Sequence, residues 1–185
     1  EGLQHQDGHS HVLAATIPNC VSYDPAYGYE LAVIIHHGLE VMYGRDESKF
    51  FYITTMNESY VQPEMPAGAE DGIVRGMYRV ESAAPKAKNV VQLMGAGTIL
   101  REVRAAAAML RADFGVDADV WSLTSVNELR REGIDCERWN MLHPAAAPRV
   151  PYVTAALEGA TGPVVAATDY IKSHTDGLRQ FVKQR

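Results

Sequence analysis

Cysteine is scarce in this sequence. Cys20 and Cys136 are the only two among 185 residues, and no CxxC pair exists. That leaves neither a zinc ribbon nor a dithiol redox motif, and it fits a reducing cytoplasm. No apolar run approaches the ~20 residues of a membrane span, and no signal-peptide pattern is present. No long run of one charge sign occurs, and the net charge is −6. The basic face that phosphate backbones demand is therefore missing, which argues against nucleic acid as a partner. The dinucleotide fingerprint is missing too, because Gly95-Ala96-Gly97 is followed by Leu at position 100. No internal repeat or low-complexity tract is visible. What the sequence does hold is apolar side chains, 46% of the total, enough for a genuine core. Its length suits one domain or two small ones.

The pattern along the chain is α/β. Residues 1–19 are rich in Gly, His, Gln and Ser, which is loop chemistry. Cys20 to Tyr23 reads as a short strand. Asp24 offers an N-cap with Pro25 at the first helical position, and Tyr27, Leu31, Ile34, Ile35, Leu39 and Met42 follow at helical spacing up to Gly44. Phe50 to Thr55 is β-branched and aromatic, a strand. Gln62 to Gly76, with two prolines and three glycines, is the best linker or domain boundary.

The rest reads as a strand at Met77 to Val80, an exposed turn region at Ser82 to Asn89, and then a β-α-β unit. That unit takes Val90 to Met94, a turn at Gly95-Ala96-Gly97, a helix capped by Thr98 and ended by Gly115, and Ala118 to Leu123. A right-handed crossover makes its two strands parallel. A short helix from Ser125, a separate helical segment from Cys136 to His143, a strand at Val164 to Ala167 and a last helix capped by Asp169 complete the reading. The later half is expected to be a mostly parallel sheet with helices on its faces.

The candidate chemistry sits in the first loop. His5, Asp7, His9 and His11 lie within seven residues, beside Gln4, Gln6 and Ser10. Such a loop can present imidazoles to a reacting carbonyl as acid or hydrogen-bond donor, and Gly8 lets the backbone turn sharply. The same residues could ligate zinc, or form a plain polar surface loop. Gly95-Ala96-Gly97 stands where open α/β sheets bind phosphates, but a tight turn with close helix packing is the better reading. His36 and His37 point about 100° apart on a helix and cannot easily share a ligand. His143 fits a helix end, Trp121 and Trp139 fit core or interface anchors, and Asn57 to Tyr60 reads as a turn.

Several long, non-repetitive runs resemble the homodimeric pyruvate dehydrogenase component of the pyruvate dehydrogenase complex, in the transketolase-like superfamily. They are Glu1 to His11, Ser22-Tyr23-Asp24-Pro25-Ala26-Tyr27, Tyr52 to Thr55 with Asn57-Glu58, and Asp135 to Pro144. They recur in order over essentially the whole chain. Transketolase is a more distant likeness, sharing the Asp7-Gly8-x-x-His11 pattern.

The resemblance implies the tail of a pyrimidine-binding middle domain over residues 1–75. Most of a transketolase C-terminal-like domain then follows over 76–185, truncated, so that the chain is a fragment at both ends. This layout expects residues 1–19 to project from the second unit rather than fold against it. The family uses thiamine diphosphate and Mg²⁺, whose ligands fall mostly outside these residues; the cofactor contacts here are unknown and no metal ligand is assigned. By carry-over, His11 matches a histidine near the reacting carbon, with His9 beside it. Asp7 and Gln4 occupy substrate-facing loop positions. The implied partners are pyruvate, a second copy of the chain, and the lipoyl domain and core of the dihydrolipoyl acyltransferase component, in the cytoplasm. The alternatives are another thiamine-diphosphate enzyme such as a transketolase, or a structural and dimerisation piece inactive by itself.

Overall fold

A computed structural model describes residues 6–183. In the first part, Asp7 accepts hydrogen bonds from the backbone N–H of His9 (3.1 Å) and Ser10 (2.9 Å) and from the Ser10 hydroxyl. Those donors are the orphans at a helix start, so α1 (Ser10–Ala14) forms where a loop is expected. β1 (Cys20–Tyr23) is buried along its whole length and pairs in parallel with β2 (Phe50–Ile53), Cys20 opposite Phe50.

Between those strands runs α2 (Gly28–Leu39), which continues as a π-turn over Glu40–Gly44. It starts later than the Asp24–Pro25 pattern predicts. The Glu30 carboxylate accepts from the backbone N–H of Ala26 (2.5 Å) and Tyr27 (3.0 Å) and so supplies the N-terminal cap. The same carboxyl group accepts from Tyr78 Oη (2.6 Å) and Ser122 Oγ (2.7 Å), so this buried polar group is fully hydrogen-bonded. The expected linker is not all loop, since α3 (Glu70–Arg75) lies inside it and ends at Gly76 with φ +110°.

The second part is a four-stranded sheet in the order β3-β5-β4-β6. β3 (Met77–Glu81) runs antiparallel to β5 (Asp117–Leu123), whereas β4 (Val90–Ala96) runs parallel to both β5 and β6 (Val164–Ala167). β4 and β5 are the central pair, and the near-continuous apolar run of β4 suits burial on both faces. The one buried amide in β4 is fully used. Gln92 donates to Asp119 Oδ2 (2.8 Å) and the Thr161 carbonyl (3.0 Å), and accepts from Trp121 Nε1 (2.9 Å).

α4 (Ile99–Phe114) crosses over between β4 and β5. It buries Leu100, Val103 and Ala107 against the sheet and ends at Gly115, whose φ of +63° suits glycine. No side-chain cap comes from Thr98.

α5 (Val126–Leu142) is one helix, not two. Ser125 Oγ caps it by accepting from Glu128 N at 3.0 Å, and it stops before Pro144. Gly133, in its middle, packs under the Phe181 ring. α6 (Tyr152–Ala156) follows, unforeseen in the sequence pattern. The expected last helix is broken into α7 (Ser173–Asp176) and a 3₁₀ turn (Arg179–Phe181), and Asp169 caps neither. Gly177 sits at the break, against the Arg130 side chain.

Residues 6–14 do not project. Ile171 N donates to the Gly8 carbonyl (3.1 Å), and Asn127 Nδ2 donates to the His11 carbonyl (2.7 Å) and to Ser22 Oγ (2.6 Å). Ser125 Oγ donates to the Ser22 carbonyl (2.6 Å), and Asp24 N to the Thr124 carbonyl (2.8 Å). The start of the described chain is thus closed onto the N-terminus of α5 and onto the segment after β6. Among the described residues, no helix is long and apolar enough to cross a membrane.

Candidate functional site

The ends of β1 and β2 and the segment after β6 meet at one place. Parallel pairing brings Asp24, just past β1, beside Thr54, just past β2. Thr54 Oγ1 donates to Asp24 Oδ1 at 2.6 Å, with the Tyr23 carbonyl a longer second acceptor at 3.3 Å. On its other side Thr54 Oγ1 lies 2.9 Å from His11 Nε2. One hydroxyl thus links a carboxyl group to an imidazole. Asp24 is therefore not the helix cap that the sequence suggests; its side chain turns across to β2 instead.

His11 is 2% exposed. Its ring meets Tyr170 edge-on with centroids 4.9 Å apart, Tyr52 at 5.5 Å and His174 at 5.4 Å. Burial pushes its pKa down to about 4, offset in part by the Asp7 charge. At neutral pH it is an uncharged ring. His174 is depressed to about 4 as well, by burial and then by His11. Its Nδ1 is buried and has no hydrogen-bond partner among the described residues. Asp24 goes the other way. Burial lifts its pKa to about 7 against the Thr54 hydrogen bond, with help from Asp169, Glu30 and Asp7. Asp7 is pulled up by burial, yet its bonds from Ser10 and His9 outweigh this and hold it below the usual carboxylate range.

In front of this group lies a cleft of about 550 Å³, lined by Asp7, Asp24, Thr54, Thr98, Asp169 and Tyr170 among others. The structure thus brings Asp7 to the cleft and seats His11 beside Thr54, one of its lining residues. His9 is exposed and engages Asp7 only through its backbone. Gln4 lies outside the described residues. Sequence reasoning missed Thr54, Asp24, Tyr170 and His174. The first two stood inside runs that carried the family resemblance, which was the available signal.

His5, one of the loop residues that could ligate zinc, lies outside the described residues. Among the described residues, no group of three His, Cys, Asp or Glu is placed to hold a metal ion. The turn at Gly95 and Gly97 is packing, as expected. A Cβ at Gly95 would stand 2.6 Å from Leu100 Cα, and the space beside Gly97 is filled by the Asp24 carboxylate. His36 is exposed and His37 half-buried. Trp121 is core, whereas Trp139 is half-buried and stacks on His143 at 4.5 Å, with the Arg149 guanidinium 4.3 Å from its ring.

Residues 1–63 match the family model described as the pyruvate dehydrogenase E1 component middle domain. Residues 76–185 match the transketolase-like TK C-terminal domain. The chain belongs to the transketolase-like family, whose C-terminal domain model matches more than half of it. It is 57% identical over 185 residues to the pyruvate dehydrogenase E1 component of Pseudomonas aeruginosa, covering all of this chain and 21% of that protein. It is 56% identical over 183 residues to that of Escherichia coli K12, covering 98% of this chain and 20% of that protein. The chain therefore spans about a fifth of the length of the curated relatives it matches.

Among solved structures, transketolase from Pichia stipitis, in a complex with fructose 6-phosphate, superposes with a TM-score of 0.57 at 15% identity. That match covers 92% of this chain and 21% of that one. The R525L variant of the same enzyme gives 0.56 over 91% of this chain and 21% of its own length. These likenesses speak for the fold, a mixed α/β architecture with a mostly parallel second sheet.

Proposed function

We propose that this chain is part of a pyruvate dehydrogenase component that decarboxylates pyruvate and reductively acetylates the lipoyl group of a dihydrolipoyl acyltransferase. The observation that carries the reading is identity of 56–57% to pyruvate dehydrogenase E1 components over 98–100% of this chain. Thiamine diphosphate with Mg²⁺ is the cofactor this implies. The residues here do not fit its diphosphate: the cleft presents Asp7, Asp24 and Asp169, and the glycine turn is filled by a carboxylate. On this reading the diphosphate and metal are held by other parts of the whole protein.

What this chain contributes is one wall. His11, uncharged and fixed by Thr54 and by the aromatic rings around it, is a neutral donor or acceptor for charge developing on a substrate carbonyl oxygen. Asp7 helps shape the mouth of the cleft; Gln4 and His9 are assigned to the same loop on resemblance alone. The proposed division, a middle-domain tail over residues 1–75 and a C-terminal-like domain over 76–185, is supported by the matches to residues 1–63 and 76–185, while the packing of residues 6–14 on the second part runs against it. The free, buried cysteines Cys20 and Cys136 agree with a cytoplasmic setting.

A second copy of the chain is the other proposed partner. Ile35 (46% exposed), Leu39 (50%) and Tyr43 (80%) form an uncovered stripe at four-residue spacing along α2 and its π-turn. That stripe also suits the alternative in which these residues mainly build the dimer.

The test is pyruvate-dependent carbon dioxide release by the full-length protein supplied with thiamine diphosphate and magnesium. Release supports the reading, and a protein inert to pyruvate but active on sugar phosphates would move it to a transketolase.

A further inference from the structure

We propose that Tyr170 and Ile171, in the segment that follows β6, are positioning residues for the cleft: they clamp the turn that carries Gln6 and Asp7 where it forms one wall. The inference rests on the reading that this turn faces substrate. It deepens that reading by giving the second part of the chain a share in the site.

α1 cannot fix its own place. It has five residues, Ser10–Ala14, and helices shorter than ~12–15 residues are marginal in water, so its position is set by what packs on it. Asp7 accepts from the backbone N–H of His9 (3.1 Å) and Ser10 (2.9 Å), so its carboxylate moves with the start of that helix. Whatever holds α1 therefore holds Asp7, and Gln6 beside it.

The holding contacts come from far along the chain. Ile171 N donates to the Gly8 carbonyl at 3.1 Å, one residue past Asp7. The Ile171 side chain lies against the same residue, its Cγ2 3.4 Å from where a Cβ at Gly8 would stand. The Tyr170 ring meets His11 edge-on, with centroids 4.9 Å and planes 85° apart. That arrangement sets the positive rim of one ring against the negative face of the other, so it fixes orientation as well as distance. His174 N donates to the Ile171 carbonyl at 2.9 Å, and the His174 ring completes the group, 5.3 Å from Tyr170. Asn127 on α5 takes the far side by donating to the His11 carbonyl at 2.7 Å.

The clamping segment is also part of the cleft. Asp169 and Tyr170 line it together with Gln6, Asp7 and Thr54. The Tyr170 hydroxyl is hydrogen-bonded with the Thr54 side chain, and burial followed by the Asp24 charge keeps that hydroxyl protonated. Tyr170 thus ties the turn before α1 to the end of β2. Misplacing a wall by about 1 Å can cost ~10²-fold even where the change is remote from the reacting atoms. Tyr170 and Ile171 act on substrate only through the wall they hold.

The test is hydrogen exchange of the full-length protein, with pyruvate kinetics on the same samples in thiamine diphosphate and magnesium. The reporter is the peptide over residues 9–15, where Leu13 N and Ala15 N donate to the His9 and His11 carbonyls. In Tyr170→Ala this peptide is expected to exchange at least ~10-fold faster, while α4 (Ile99–Phe114) keeps its wild-type protection. The KM for pyruvate should rise ~10-fold with kcat within about threefold of the wild type. Tyr170→Phe, which keeps the ring, should recover most of both effects. Ile171→Pro removes the N–H that reaches Gly8 and should reproduce the Tyr170→Ala pattern, which keeps the test open where Tyr170→Ala fails to fold. Unchanged exchange over 9–15 overturns the proposal, as does an equal rise over α4. So does a KM that stays put while the peptide exchanges faster. The exchange arm needs no pyruvate. A wild type inert to pyruvate rejects the proposed activity and leaves the clamp to stand or fall on exchange, whereas an active enzyme with unchanged exchange rejects the clamp alone.

Discussion

Gly97 and Asp24 are fitted to each other. A Cβ at Gly97 would stand 2.4 Å from Asp24 Oδ2, and Gly97 N donates to the Asp24 carbonyl at 3.2 Å. The φ of +52° at Gly97 is a second bar to any side chain. Gly97→Ala is therefore expected to destabilise the protein by about 1–3 kcal/mol, read as a lowered thermal midpoint. Gly68→Ala is the control. It has φ +75° but nothing within 4 Å of its would-be Cβ, so it carries backbone strain alone and should cost less. Equal losses at the two sites would show that the carboxylate moves aside freely.

The pH dependence of stability has two opposed parts. Asp24 is raised to about 7 from an unfolded value near 3.9, so its contribution is complete in acid and is lost as pH rises through 7. His11 and His174 are depressed to about 4 from about 6.5. Their contribution is complete above 6.5 and lost as pH falls toward 4. Between about 4 and 6.5 the groups partly cancel. Asp24→Asn removes one side of that balance. Its thermal midpoint should fall more steeply than the wild type's as the buffer is taken from about pH 6.5 to about pH 5. Parallel profiles would contradict the assignment of Asp24.

Gly133 offers a sign test. Alanine in place of glycine inside a helix ordinarily gains about 1 kcal/mol. Here a Cβ would lie 2.6 Å from Phe181 Cε2, on a ring that is itself buried at 4% exposure. Gly133→Ala is expected to lower the thermal midpoint instead of raising it, through overpacking.

The 185 residues alone should fail to bind thiamine diphosphate at micromolar concentration, because the cleft offers an anionic diphosphate acidic side chains and no lysine or arginine. Titration calorimetry on the purified chain with magnesium checks this, and a micromolar constant would place the diphosphate site here after all.

How much of this was legible in the sequence depends on whether a residue's role is local. β1, β4, β5 and α4 with its terminal Gly115 follow from runs and periods only a few residues long, and they stand within two residues of where the pattern puts them. Where the deciding partner is remote, the pattern misleads. Ser125 to His143 reads as two helical segments, yet α5 runs through unbroken, with Gly133 in its middle leaving the space that Phe181, far along the chain, occupies. Asp24 before Pro25 reads as a helix cap, but its side chain accepts a hydrogen bond from Thr54, brought alongside by parallel strand pairing. Glu30, which the sequence pattern does not single out, takes over the cap and is buried against Tyr78 and Ser122. Of the site, His11 and Asp7 stand out in a histidine-rich loop. That His11 is buried and uncharged requires Tyr52, Tyr170 and His174 to be in place around it.

The most direct test is the rate of carbon dioxide release from pyruvate by the full-length protein with thiamine diphosphate and magnesium, for wild type and His11→Ala side by side. Wild-type release with a loss of ~10²-fold or more in the variant, and cofactor binding nearly unchanged, is the expected result. No release from the wild type, or equal rates from the two, would contradict it.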